Sequence, residues 1–444
     1  MKVLFIFRRD FRINDNIGLN ECSSDTVYPI FIFTPEQIDH NKYKSDNCVQ
    51  FMVESLIDLN NVINITFCHG LIEDVIKDIV KKNNIEKICA NTDYTPYAIK
   101  RDKMISKLAQ ELNIEFKYYH DILLLPSFEK DGGGVYQKFT PFYNKAIKND
   151  VLKPTTLKIK FSKPKTSYEI NMTTINRFYK TNPHINIHGG REKALAILKK
   201  INNFSDYNDT RNSLHINTTQ LSAYLKFGCI SIRECFYHMR KHFKINNPLI
   251  RQLYWREFYY HLYKLGTFGQ SLKPKYDNII WENDTVKFNS WCNGKTGYPI
   301  IDSCMTQLNT TGYMHNRGRL IVASFLIKNL HVDWRKGEKY FAQNLLDYDP
   351  LVNQGNWQWV AGCGADSMPY FRVFNPWIQS NKFDKDCIYI KHWLPNLKDV
   401  DNKHIHQWDK YNESYNLKEI SYYKPIVDYS KSKKEGLVLY KKYL

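Results

Sequence analysis

The hydrophobic period of this 444-residue chain changes once along its length, and that change constrains the fold more than any single motif. Short apolar, β-rich runs at 3–7, 27–33 and 87–90 alternate with helical patterns at 49–62, 71–82 and 100–112. Such alternation implies a mostly parallel sheet covered by helices, so residues 1–125 read as an α/β doubly wound domain. Gly132-Gly133-Gly134 with Pro126, Pro141, Pro154 and Pro164 then break any long periodicity, and 126–185 reads as a connector. From 186 to about 425 strand signals fade. Aromatic-rich helical stretches at 249–265, 298–308, 314–330 and 340–346 imply an all-α domain. Residues 426–444, with Lys431, Lys433, Lys434, Lys441 and Lys442, read as a basic tail, and no internal repeat is visible.

The formal charge of +18 favours a polyanionic partner, although lysine-rich coding produces the same balance. The same bias accounts for much of the 31 Tyr and 25 Phe, but not for the 9 Trp, which cluster in the C-terminal half. Ten Cys occur without a C-x-x-C pair or a Cys/His cluster at metal spacing, so no metal site is expected and the thiols read as reduced. The apolar run at 1–7 is too short for a signal peptide and nothing reaches the length of a membrane span. A soluble, intracellular protein with no membrane partner is expected.

Chemistry concentrates in a few places. Between 347 and 359, Asp347-Tyr348-Asp349-Pro350 precedes Asn353-Gln354-Gly355-Asn356-Trp357-Gln358-Trp359. Carboxylates and amides can bind the edge of a heterocycle, indoles can stack on it, and Gly355 lets backbone approach something flat. Thr218-Thr219-Gln220-Leu221-Ser222 lies ahead of a helical pattern. Its hydroxyls can cap the helix or, with free backbone N–H groups, cradle a phosphate. Trp255-Arg256-Glu257-Phe258-Tyr259-Tyr260-His261 and Tyr313-Met314-His315-Asn316-Arg317-Gly318-Arg319-Leu320 are aromatic and basic helical runs. The opening Phe7-Arg8-Arg9-Asp10-Phe11-Arg12 reads by itself as a strand end with solvated charges.

Taken together, these motifs resemble the photolyase/cryptochrome family from residue 1 to about 400, closest to class I cyclobutane pyrimidine dimer photolyases. The resemblance implies FAD in the helical domain; no G-x-G-x-x-G follows the first strand, so the α/β domain is not expected to hold it. Thr218, Thr219, Gln220, Leu221 and Ser222 would bind the pyrophosphate, with Tyr207 enclosing the cofactor. Arg319 and Asp347 would pair beside the isoalloxazine, Asp349 would meet the ribityl or pyrimidine edge, and Asn353 would face N5. Trp357, Trp334 and Trp281 would form the electron-carrying tryptophan chain, each otherwise a core residue. Trp255 and Trp359 would wall a flipped-out lesion, and Arg211 and Arg317 would hold DNA phosphates. A second, light-harvesting chromophore (deazaflavin, folate or flavin) is expected in the N-terminal domain or the domain cleft; near Ala98 the Glu of folate-binding relatives is replaced.

The implied reaction is light-driven electron transfer from reduced FAD to a dimer in UV-damaged DNA, carried out by a monomer. Two positions bear on the lesion. Gln252 stands where dimer-repair enzymes usually have Glu, and its carboxamide can donate to a thymine carbonyl but supplies no proton or charge. Asn316 matches the dimer pattern, and neither Asn316 nor Leu320 is the His of (6-4) photolyases. His315 is expected to be structural. The alternatives are a cryptochrome photoreceptor (including DASH-like single-strand repair, against which the second Trp of Trp357-Gln358-Trp359 argues), a (6-4) photolyase, whose family members also tend to carry Gln at the position of Gln252, and a flavin-free DNA-binding descendant.

Overall fold

The computed structural model describes residues 1–126, 128–130 and 132–443; Ser127 and Asp131 of the connector and Leu444 of the basic C-terminus lie outside the described residues. Strands β1 (Lys2–Ile6), β2 (Thr26–Phe33), β3 (Thr66–His69), β4 (Lys87–Asn91) and β5 (Glu115–Tyr119) form a parallel sheet in the order β3-β2-β1-β4-β5. Val3 is in register with Val27 on one side and Lys87 on the other. The central strands are apolar on both faces because helices cover both. Periodicity missed β3 and β5. β3 is only four residues long, and β5 is a half-exposed edge whose Glu-Phe-Lys-Tyr-Tyr carries little apolar signal.

Helices Asp46–Ile63, Ile72–Asn83 and Pro96–Glu111 fill the crossovers. Ser45 and Thr95 cap two of them through their hydroxyls, and Asn64 and Asn84 end two in the left-handed region at φ 51° and 50°. The connector is more structured than its prolines suggest. It forms the helix Phe139–Ala146 and returns to the sheet, where β6 (Lys160–Phe161) pairs with β2 and Glu169 bridges to Cys68.

The second half is helical, with long elements at Pro248–His261, Pro299–Thr311, Asn316–Lys328, Trp334–Asn344 and Pro350–Ala361. One apolar cluster runs unbroken from Val3, Phe5 and Phe31 of the sheet to Leu221, Tyr224 and Phe258 of the helices. A second surrounds Trp291, Phe325, Trp357 and Trp408.

Buried charges also join the two halves. The expectation that the Arg8–Arg12 charges are solvated does not hold: Asp10 and Arg12 are buried. Arg12 makes two bonds to Asp121, at 2.6 and 2.8 Å, and Arg233 bonds both Asp15 and Asp121. The 248–261 helix supplies a further clamp. Glu257 accepts from the amides of Leu124 and Leu125 at 2.8 and 3.3 Å, and Arg256 donates to the Ile122 carbonyl at 2.7 Å. Two residues adjoining Trp255 in that signature therefore hold the end of the α/β domain.

The lysine-rich end is a helix, Tyr429–Tyr443, and not an extended tail. Ser432, Gly436 and Tyr440, spaced one turn apart, are buried while Lys431, Lys434, Lys441 and Lys442 point outward. A Cβ at Gly436 would come within 2.6 Å of the Lys328 carbonyl, so only glycine allows that approach. Among the described residues, no helix is long and apolar enough to cross a membrane.

Candidate functional site

A cavity of about 590 Å³ opens in the helical half. Every site residue read from the sequence lines it except Trp281 and Trp334. Tyr207, Thr218, Thr219, Gln220, Leu221 and Ser222 line it, as do Gln252, Trp255, Asn316, Leu320 and Trp359. Arg319, Asp347, Asp349, Asn353 and Trp357 also line it, and Arg211 and Arg317 are beside Asn212 on its wall.

The 218–222 segment does not act as a helix cap. Leu221 is the N-cap of Ser222–Lys226 and makes no side-chain cap bond. Gln220 sits at φ 53°, and the Ser222 hydroxyl donates to Asp347 at 2.7 Å. Asp347 also receives the Arg319 guanidinium at 3.0 and 3.1 Å. Serine, carboxylate and guanidinium thus form one chain of charge-assisted bonds along the cavity.

Asp349 does what helix-end chemistry asks. Its Oδ1 accepts from the amides of Leu351 and Val352, while Oδ2 accepts from Arg9 and the Tyr260 hydroxyl, each at 2.5 Å. Burial pushes its carboxyl up, but Arg9 and Arg256 outweigh that and hold it down at about 2. Both of its oxygens already have partners, so its expected contact with a cofactor competes with this capping role. Asn353 donates to Glu338, at 2.9 Å to the carboxyl and 3.2 Å to the backbone carbonyl. His315 caps Asn316–Lys328 through Nδ1, as a structural residue would, and burial followed by Arg319 and Arg317 lowers it to about 4.

Trp255 is stacked on Phe139 at 3.6 Å with the rings 4° apart, so its exposed face is fixed from behind by the connector. The flat group that Gly355 admits is Tyr259, whose ring would lie 2.3 Å from a Cβ there. Gln252 donates to the Pro248 carbonyl at 3.0 Å. Trp357 rests on the backbone of the 334–344 helix at Gly337, one turn beyond Trp334, because a Cβ at Gly337 would meet its ring at 2.2 Å. Trp334 is buried under the Arg335 guanidinium, and Trp281 is half-buried with its ring edge on Tyr440.

Arg317 stacks on Phe383, donates to Asn212 and has its pKa lowered by burial and then by Arg211 and Arg372. Three guanidinium groups close enough to repel one another form a site prepared for anions.

A second cavity of about 520 Å³ lies beyond the C-terminal ends of β1, β2 and β4, lined by Arg8, Thr34, Asp93, Tyr97 and Arg101 from the α/β domain and by Phe268, Trp334 and Glu338 from the helices. This is the crevice at a topological switch point where open α/β sheets bind ligands. Trp334 and Glu338 line this cavity and Phe341 the first, so the 334–344 helix forms part of the wall between them.

Sequence reading missed Glu338, Phe139, Arg372 and Arg9. Glu338 and Phe139 act through burial and stacking between segments far apart in the chain, which leaves no local signal. Arg372 follows Phe371, and an exposed aromatic-basic pair was the available cue.

The donor set fits FAD: the hydroxyls and amides of 218–222, the Arg319–Asp347 ion pair, the carboxamide of Asn353 and the indoles of Trp357 and Trp359 all line one cavity. Residues 3–158 match the family model described as DNA photolyase, and residues 249–442 match the FAD binding domain of DNA photolyase. The deoxyribodipyrimidine photo-lyase of Buchnera aphidicola (from Acyrthosiphon pisum) is 36% identical, the alignment covering 99% of this chain and 97% of that protein. The Escherichia coli deoxyribodipyrimidine photo-lyase is 31% identical over 98% and 97%. An archaeal photolyase from Sulfolobus tokodaii, solved with two FAD molecules, superposes with a TM-score of 0.89 at 39% identity, covering 100% of both chains. A Synechocystis cryptochrome superposes with a TM-score of 0.88 at 27% identity, covering 99% of each chain. With both halves matched by family models and a relative 36% identical along nearly the whole chain, the chain belongs to the photolyase/cryptochrome family.

Proposed function

We propose that the chain splits cyclobutane pyrimidine dimers, the finer form of the light-driven pyrimidine-dimer repair, a deoxyribodipyrimidine photo-lyase activity, that its relatives carry by name. One observation carries the reading. Trp255, Trp359, Asn316 and the Arg319–Asp347 pair face a single cavity whose wall also holds Arg211 and Arg317.

FAD held by Thr218, Thr219, Ser222, Arg319 and Asp347 would supply, when reduced and illuminated, electron chemistry for dimer splitting with no net redox change. The protein's own groups do the rest. Arg211, Arg317 and Arg372 meet DNA phosphates; Trp255, stiffened by Phe139, and Trp359 receive the extruded lesion. The Asn316 and Gln252 carboxamides donate to pyrimidine carbonyls in this reading, Gln252 with the amide hydrogen that Pro248 leaves free. Thr218, Thr219 and Ser222 meet the pyrophosphate, and Arg319 with Asp347 sets the charge beside the isoalloxazine. Trp357, Trp334 and Trp281 carry electrons inward during photoreduction. The monomer is read as the working form. The crevice beyond β1, β2 and β4 is read as the place of a second chromophore; the Sulfolobus relative's two FAD molecules make a flavin one candidate there, beside a deazaflavin or folate.

The test uses the photoreduced protein and oligonucleotides bearing one cyclobutane thymine dimer or one (6-4) photoproduct, with thymine absorbance followed under blue light. Repair of the dimer alone is expected. Repair of the (6-4) lesion would overturn the assignment based on Asn316 and Leu320. The cryptochrome similarity supports a second reading, a photoreceptor, which failure on both lesions with FAD retained would favour.

A further inference from the structure

Of the ten cysteines, nine are buried and Cys48 alone is not. Its sulfur lies 2.8 Å from the Nζ of Lys226, a residue 178 positions away. Cys48 stands in the first turn of the 46–63 helix, where its amide donates to the Ser45 hydroxyl at 3.2 Å. Lys226 ends the helix Ser222–Lys226, and its carbonyl accepts from Arg9 at 3.1 Å. The contact therefore joins the α/β domain to the helix whose first residue bonds Asp347. Both side chains line the 520 Å³ cavity, and Lys226 lines the flavin cavity as well. The Lys226 Nζ also sits 4.0 Å above the Phe227 ring. Backbone bonds at both ends thus fix where the amine and thiol meet.

We propose that Cys48 and Lys226 form a reversible oxidative cross-link, made when hydrogen peroxide reaches the cavity. The Cys48 thiolate attacks one peroxide oxygen: an S–O bond forms, the O–O bond breaks and hydroxide leaves. The Lys226 ammonium gives that hydroxide a proton, producing one water. The freed amine then attacks sulfur: an N–S bond forms, the S–O bond breaks and a second water leaves. Sulfur is oxidised by two electrons and peroxide is reduced to two waters. A thiol reductant attacking sulfur returns amine and thiol. The link removes a cation from the wall between the two cavities and ties the 218–226 segment to the sheet domain.

The experiment treats the purified full chain with graded hydrogen peroxide, digests it without reductant using a protease that does not cut at lysine, and reads peptides by mass spectrometry. The expected product is the Cys48 peptide joined to the Lys226 peptide, lighter than their sum by two hydrogens and separated by dithiothreitol. Cys48→Ser abolishes it, and Lys226→Arg and Lys226→Gln leave Cys48 as sulfinic or sulfonic acid instead. The proposal is overturned if wild-type Cys48 reaches those acids, or is captured by dimedone, while Lys226 stays unlinked. It is equally overturned if Cys48 remains a thiol while buried cysteines oxidise.

Discussion

The carboxamide nitrogen of Asn353 lies 2.9 Å from Oε1 of Glu338, and that bond links the 590 Å³ cavity of the helical half to the crevice beyond the sheet. Burial raises the Glu338 carboxyl to about 7, with hydrogen bonds from Asn353 and Tyr348 opposing part of the shift. A buried acid of this kind prefers to be protonated in the folded state.

Between 4.5 and about 7 the folded protein thus binds the proton that the unfolded chain releases, so stability falls as pH rises through that window and the loss levels off above it. Glu338→Gln removes the titrating group while keeping an acceptor for Asn353. Thermal midpoints of wild type and variant should converge at the acid end and separate toward neutral pH, the variant being more stable there by on the order of 2 kcal/mol. Parallel midpoint curves would show that Glu338 does not titrate in the folded state.

Phe139→Ala should loosen Trp255, which it stacks upon at 3.6 Å. Loss of the buried ring costs about 3 kcal/mol of stability. Binding to dimer-containing DNA should weaken more than binding to undamaged duplex, because only the former uses the indole face. A titration of both DNAs by fluorescence anisotropy checks this, and equal losses would count against the lesion-wall role.

Gly337→Ala places a methyl where the Trp357 ring lies, 2.2 Å from its nearest atom. Such overpacking costs roughly 1–3 kcal/mol. Displacing Trp357 should also slow photoreduction of the flavin, while repair by chemically reduced protein changes less. Stopped illumination with absorbance detection separates the two rates.

Asp347→Asn breaks the pair with Arg319 and weakens the bond from Ser222. Removing one partner of a buried pair costs about 3–5 kcal/mol; with Arg319 partly exposed the loss here should be smaller. The measurable outcome is FAD released on desalting, seen as lost absorbance, whereas Asp347→Glu should retain more of it.

Arg372→Ala should weaken DNA binding nearly uniformly across sequences and reduce the salt slope of log affinity by about 1. It should also relieve the repulsion that lowers Arg317. An unchanged slope would place Arg372 away from phosphate.

What the residue pattern alone determined was local in kind. Apolar runs at 27–33 and 87–90 read as strands and are strands, and the helices at 49–62, 71–82 and 298–308 appear within a few residues of their expected bounds, because propensity, caps and burial agree there. The cavity residues, from Tyr207 to Trp359, were readable through the resemblance to the photolyase/cryptochrome family, which implied a place for each of them. Tertiary structure decided the rest. β5 exists because a polar edge strand finds β4, and the lysine-rich end is a helix because Ser432, Gly436 and Tyr440 find a surface on the 316–328 helix and Ala361. Asp349 pairs with an arginine 340 residues away, and Phe139 reaches Trp255 from a segment that looked like a linker. Burial, which turns Glu338 into a group titrating near neutrality and sets Cys48 against Lys226, depends on which segments meet, and no local pattern encodes that meeting.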